Sequence, residues 1–131
     1  MHDDAPLAER AEAIFAAAGR NYALHLTPLV VAEAAFVFTG RCGLARAEAV
    51  RALRGIFELP GVRVEEEAAQ RRMLELYEAH AKLHLVDAYL IARAERDACG
   101  VASFDDRIAK LGLVPVLGRH PAPPTEEEGP C

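Results

Sequence analysis

The stretch GVASFDDRIAKLGLVPVL, residues 100–117, decides the fold. Gly100 punctuates the chain, and VASF (residues 101–104) is a short apolar run of the kind a buried strand needs. DRIAKLG (residues 106–112) reads as a short helix, and VPVL (residues 114–117) as a second strand. Strands joined through a helix pair in parallel, and a parallel sheet is covered by helices on both faces. The expected fold class is therefore α/β, a three-layer α/β/α domain with a short parallel sheet. Ligands of such sheets sit beyond the carboxyl ends of the strands, where Asp105 and Asp106 stand.

The same alternation extends upstream. Asp3, Asp4 and Pro6 precede Leu7, Ala11, Ile14, Phe15 and Ala18 at helical spacing, which predicts a capped helix over 5–18 that ends at Gly19. Residues 23–26 read as a short strand, and Thr27 with Pro28 is a cap and first-turn pair opening a second helix to about Thr39. A third helix, about 45–59, carries Val50, Leu53, Ile56 and Phe57 on one side, and Pro60–Gly61 ends it. Val62 and Val64 suggest a brief strand, Glu65 to Glu67 open a helix with Met73, Leu76 and Tyr77, and another helix spans about 85–99.

With 131 residues, 52% of them hydrophobic and 27% charged, the chain is expected to form one domain, and roughly two-thirds of its unfolded surface can be buried. That domain is expected over 1–118. Residues 119–131, with PAPPTEEEGPC at their end, have the proline-rich, acidic composition of a disordered tail. No apolar run approaches the roughly eighteen residues that span a bilayer, and MHDDAPLAER is unlike a signal peptide, so a cytoplasmic location is expected. Cys42, Cys99 and Cys131 lack CxxC or zinc-finger spacing and read as thiols. A net charge of −5 argues against a broadly basic nucleic-acid surface. It is compatible with a carboxylate site in which a divalent cation inverts the local potential.

Several carboxylates do not fit their surroundings. Glu33 is the only charged residue in TPLVVAEAAFVFTG (residues 27–40), and Asp87 stands within the apolar run LHLVDAYLIA (residues 83–92). Each also has an ordinary reading. Glu33 can lie on a thin exposed stripe of a buried helix, Asp87 can favour the first turn through the macrodipole, and Asp105 or Asp106 can cap the next helix. Together they suit magnesium, which prefers hard oxygen ligands and is held by a few carboxylates plus waters.

The order TPLVVAEAAFVF, LHLVDAYLIARA, GVASFDDRIAKL resembles the PIN-domain nucleases, and especially the VapC-like toxins of type II toxin–antitoxin systems, over about residues 3–117. The resemblance implies metal-dependent RNA cleavage with Glu33, Asp87 and Asp105 as catalytic carboxylates. The same three would hold Mg2+ or Mn2+, with Asp106 auxiliary. It also implies a homodimer restrained by a cognate antitoxin protein.

PIN domains open with a central strand that ends in a metal-binding aspartate. This sequence opens instead on HDDAPLAERA, which is similar to the linker and helix that follow that strand. The first, central strand is thus expected to be missing, and a natural chain with an upstream strand is expected to supply a fourth carboxylate. Without it, cation affinity and catalysis should be impaired, and the alternative is a non-catalytic PIN-like module that binds RNA or protein.

A third reading is a zinc-binding regulator, since His80 and His84 are four apart, near Asp87, and that spacing can place two imidazoles on one helix face. Lys82 between them and an expected helix boundary favour solvent-facing histidines instead. Phe36, Phe38, Phe57, Tyr77 and Tyr89 are expected mainly in the core, although exposed aromatic rings can stack on bases. Arg41, Arg46, Arg51 and Arg54 form either a solvated face or a phosphate-facing rim.

Overall fold

A computed structural model describes residues 5–102 and 106–117. They fall into two compact units that divide at the start of the fourth helix, after Glu67. In the first, α1 (Ala5–Ala17) leads to β1 (Leu24–Leu26), α2 (Pro28–Thr39), α3 (Arg46–Phe57) and β2 (Val62–Val64). β1 and β2 pair in parallel, with Leu24 opposite Val62, His25 opposite Arg63 and Leu26 opposite Val64. So short a ladder contributes little by itself. Its support is the apolar layer of Val31 and Ala35 from α2 with Ala49, Val50, Leu53 and Phe57 from α3, all buried; α3 packs on both α2 and β2.

Two glycines let the entry of this unit close. Gly61 has φ +79°, and a Cβ there would lie 2.1 Å from the Gly19 nitrogen. The close approach sets the turn between α1 and β1 against the turn before β2, where Leu24 N–H donates to the Gly61 carbonyl at 2.8 Å. Tyr22 adds a hydroxyl bond to the carbonyl of Ile14.

The second unit contains α4 (Glu67–Ala79), α5 (Leu85–Asp97), β3 (Val101–Ala102), α6 (Asp106–Leu111) and β4 (Val116–Leu117). β3 and β4 are again parallel, Val101 opposite Val116 and Ala102 opposite Leu117. Met73, Leu74, Leu76 and Tyr77 of α4, Ala88, Ile91 and Ala92 of α5, and Ile108 of α6 form its core. Among them Gln70 is a fully buried polar residue.

Helices alternating with short parallel strands give the α/β class of the three-layer α/β/α kind, and the described strands form two parallel pairs. Two sequence expectations change. Phe36, expected in the core, is 78% exposed, because α2 turns Val31 and Ala35 inward and Phe36 lies on the opposite side. Cys99, read as a thiol, is disulfide-bonded, whereas Cys42 is an exposed free thiol; separation along a sequence does not fix which sulfurs come within bonding reach. The proposed tail lies outside the described residues.

Candidate functional site

α2 begins at the carboxyl end of β1 because Thr27 caps it: the Val30 N–H donates to Thr27 Oγ1 at 3.2 Å, and Pro28 occupies the first turn with its φ already helical. One and a half turns on, this start delivers Glu33 to solvent. Glu33 has no hydrogen bond or ion pair among the described residues, so its oxygens are available to a ligand. Leu29, Val30, Phe36 and Val37 surround it on the same exposed side.

The exit of β2 meets the same sheet edge. Glu65 N–H donates to the Leu26 carbonyl at 3.0 Å, and Glu65 Oε1 lies 3.4 Å from His25 Nδ1. The sequence reading takes Glu65 only as part of a helix opening. A charged residue directly after a strand is the signal that places it at a sheet edge, and here the carboxylate is engaged with a histidine.

Asp87 belongs to the second unit, in the first turn of α5. His84 is the N-cap residue with extended backbone (φ −77°, ψ 155°) and gives no side-chain cap bond. Asp87 is therefore the acidic group nearest the unsatisfied N–H groups of that terminus. It is half-buried at the margin of the inward face made by Leu85, Ala88 and Ile91. Asp106 opens α6, and Asp105 lies outside the described residues. Within neither unit do three histidine, cysteine, aspartate or glutamate side chains meet among the described residues. The carboxylate oxygens of Glu33 and Asp87 are hard donors, and that chemistry fits a divalent magnesium-like cation better than a soft one.

His80 and His84 do not share a helix face. His80 follows the last residue of α4, Leu83 N–H donates to its carbonyl at 2.9 Å, and His84 sits outside the start of α5. The single helix face on which the zinc reading placed the two imidazoles is interrupted by the loop 80–84.

Among the described residues, a clear electrostatic perturbation lies between α4 and α5. Arg72 Nε donates to Glu95 Oε1 at 2.8 Å, its second guanidinium nitrogen to Glu95 Oε2 at 3.0 Å, and its third to Glu75 at 3.2 Å. The hydrogen-bonded guanidinium holds the Glu95 carboxyl below its ordinary value, and Glu95 raises Arg72. These two, with Ala68, Ala69, Ala92 and Arg96, line a cavity of about 250 Å³. Each of the three guanidinium nitrogens of Arg72 donates to a carboxylate, so the arrangement braces two helices.

In comparison with known families, the PIN domain family matches residues 1–113. No curated protein and no solved structure matches the chain.

Proposed function

From the premise that the chain belongs to the PIN domain family, whose members are generally nucleases, we propose that it is a magnesium- or manganese-dependent endoribonuclease. In this reading it hydrolyses RNA phosphodiester bonds as the toxin of a toxin–antitoxin pair, working in the cytoplasm as a homodimer restrained by its antitoxin. The observation that carries the reading is Glu33: a solvent-facing carboxylate, alone in an apolar helix, on an element that starts at the carboxyl end of a parallel strand. No helix among the described residues is long and apolar enough to cross a membrane.

Glu33 and Asp87 hold the cation in this proposal, with Asp105 and Asp106 completing the acidic set. When bound, the ion supplies a more acidic water and charge compensation for the phosphate. The chain's own carboxylates do the rest. One that is not engaged with the cation accepts the proton of the attacking water as the phosphorus–oxygen bond to the leaving nucleotide breaks. The half-buried position of Asp87 suits a fixed ligand, whereas the exposed Glu33 suits a group that meets substrate.

A single-stranded RNA incubated with the purified chain should be cut with Mg2+ or Mn2+ and left intact with EDTA. Absence of cation-dependent cleavage would sink the enzymatic reading. The competing reading, a non-catalytic PIN-like module that binds RNA or protein, draws on the fact that no three ligating side chains meet among the described residues. RNA retained on the protein without cleavage in the same assay would favour it.

A further inference from the structure

The segment HAKLH (residues 80–84) joins α4 to α5 through one fixed turn. His80 N–H donates to the Leu76 carbonyl at 3.0 Å, and the His80 carbonyl accepts from Leu83 N–H at 2.9 Å, which closes residues 80–83 into a turn. Leu83 is 1% exposed and anchors that turn. A closed turn with a buried apolar anchor has little local freedom, so the side chains beside the anchor are presented from a fixed backbone.

Those side chains are Lys82 and His84, both solvent-exposed. Among the described residues neither side chain makes a hydrogen bond or ion pair. His84 precedes α5 directly yet gives it no side-chain cap bond, so its imidazole is not committed to the helix. Residues 79–86 contain no acid, which sets the segment apart in a chain with 20 acidic residues against 15 Lys and Arg. Lys82 and His84 stand five and three positions before Asp87, at the end of α5 whose first turn Asp87 occupies. Arg96 is also exposed and makes no such bond among the described residues, but it stands nine positions after Asp87, about 14 Å along the helix axis, and serves the opposite end.

We propose that this turn holds the substrate backbone beside Asp87, with Lys82 and His84 binding the oxygens of an RNA phosphate next to the one that is cut. The inference rests on the nuclease reading for the phosphate that is cut, and on RNA binding alone for the contact itself. The division follows from charge. Carboxylates with a divalent ion serve the phosphate under attack and repel the next one along the strand. That neighbour needs donors from the chain, which a lysine supplies as a point charge and an imidazole as an N–H group. Both are substrate-binding groups outside the carboxylate set, presented on the same end of one helix.

Binding of a fluorescent single-stranded RNA to the full chain in EDTA, titrated over monovalent salt, tests the turn apart from cleavage. Each phosphate contact on a single strand contributes about 0.7 to the slope of log affinity against log salt. Lys82→Gln should therefore make the slope shallower by about 0.7 and weaken binding about fivefold at ~0.1 M salt, and Lys82→Arg should restore both. His84→Ala should weaken binding, and His84→Gln, which keeps an N–H donor, should recover it. Thermal melts should stay in place in all four variants, because neither side chain is bonded within the fold. With Mg2+ present, Lys82→Gln should raise KM more than it lowers kcat. A wild-type chain that does not bind RNA, an unchanged slope in Lys82→Gln, or a loss that Lys82→Arg does not recover overturns the proposal. So does an equal loss in Arg96→Gln, since the effect then belongs to diffuse surface charge. If the wild-type chain binds RNA with the expected slope change in Lys82→Gln but cuts nothing in Mg2+, the nuclease reading falls and the phosphate contact stands. If it cuts while Lys82→Gln alters neither slope nor KM, the phosphate contact falls alone.

Discussion

Asp87 and Gly61 illustrate two different demands on single residues. Asp87→Asn keeps the size of the side chain and removes the charge a cation needs. Cleavage should fall on the order of 10²–10⁴-fold, while stability drops only about 0.3–1 kcal/mol through the lost interaction with the α5 terminus. Single-turnover kinetics beside a urea melt checks both, and full activity in the variant contradicts the metal role. At Gly61 the demand is steric. A methyl group there meets the Gly19 backbone at 2.1 Å and must also accept φ +79°, so Gly61→Ala should cost about 3 kcal/mol or more. Gly55→Ala is the internal contrast: it lies within α3 with open space around it, and should stabilise by roughly 0.5–1 kcal/mol. Equal shifts in the two melts would refute the steric account. The Pro60–Gly61 pair is legible in the sequence as a helix stop, but its close approach to Gly19 is a contact across some forty residues that no local pattern encodes.

The elements themselves were largely legible because their ends carry local chemistry. Thr27 and Pro28 mark the start of α2, Gly40 its end, and Pro60–Gly61 follow α3, each by satisfying or refusing backbone hydrogen bonds near its own position. Thr27→Ala should accordingly cost about 1 kcal/mol in a thermal melt, and an unchanged melt would mean that proline alone sets the start. Face assignments were harder. A helix as uniformly apolar as α2 has almost no periodicity to orient it, which is why Phe36 was expected inside; the solitary charge of Glu33 was the better guide to its outer side. Helix pairing was not legible either, and the Arg72–Glu95 brace shows why, since its partners lie 23 residues apart. The pair holds Glu95 below its ordinary value. Its stabilisation is therefore complete above the ordinary carboxylate range and disappears as the pH falls through the lowered value. With side chains 39% and 27% exposed, solvent limits it to about 1 kcal/mol. The stability gap between the wild type and Glu95→Gln should be widest near neutrality and close in acid; a gap that widened in acid would reverse the assigned sign.

Across the whole molecule, strand and helix order was readable because each apolar run is bounded by its own punctuation, and it led to the α/β class. The candidate site was readable only as separate carboxylates, each conspicuous in an apolar run; which of them converge depends on packing over long sequence distances. The overall charge adds a constraint that does not need their positions. With 20 acidic residues against 15 Lys and Arg, a net charge of −5, the proposed RNA cleavage calls for a divalent ion to provide the local attraction at the acidic groups. Two consequences follow for one titration. Cleavage should vanish with EDTA and return with Mg2+ or Mn2+. RNA affinity should respond only mildly to monovalent salt, because the slope is about −0.7 per phosphate contact, and three contacts lower affinity by only about fourfold when salt is doubled. A much steeper slope would reveal an extended basic track and shift the weight of recognition to the arginines around α3. Salt-insensitive cleavage that survives EDTA would instead show that the carboxylates act without a cation.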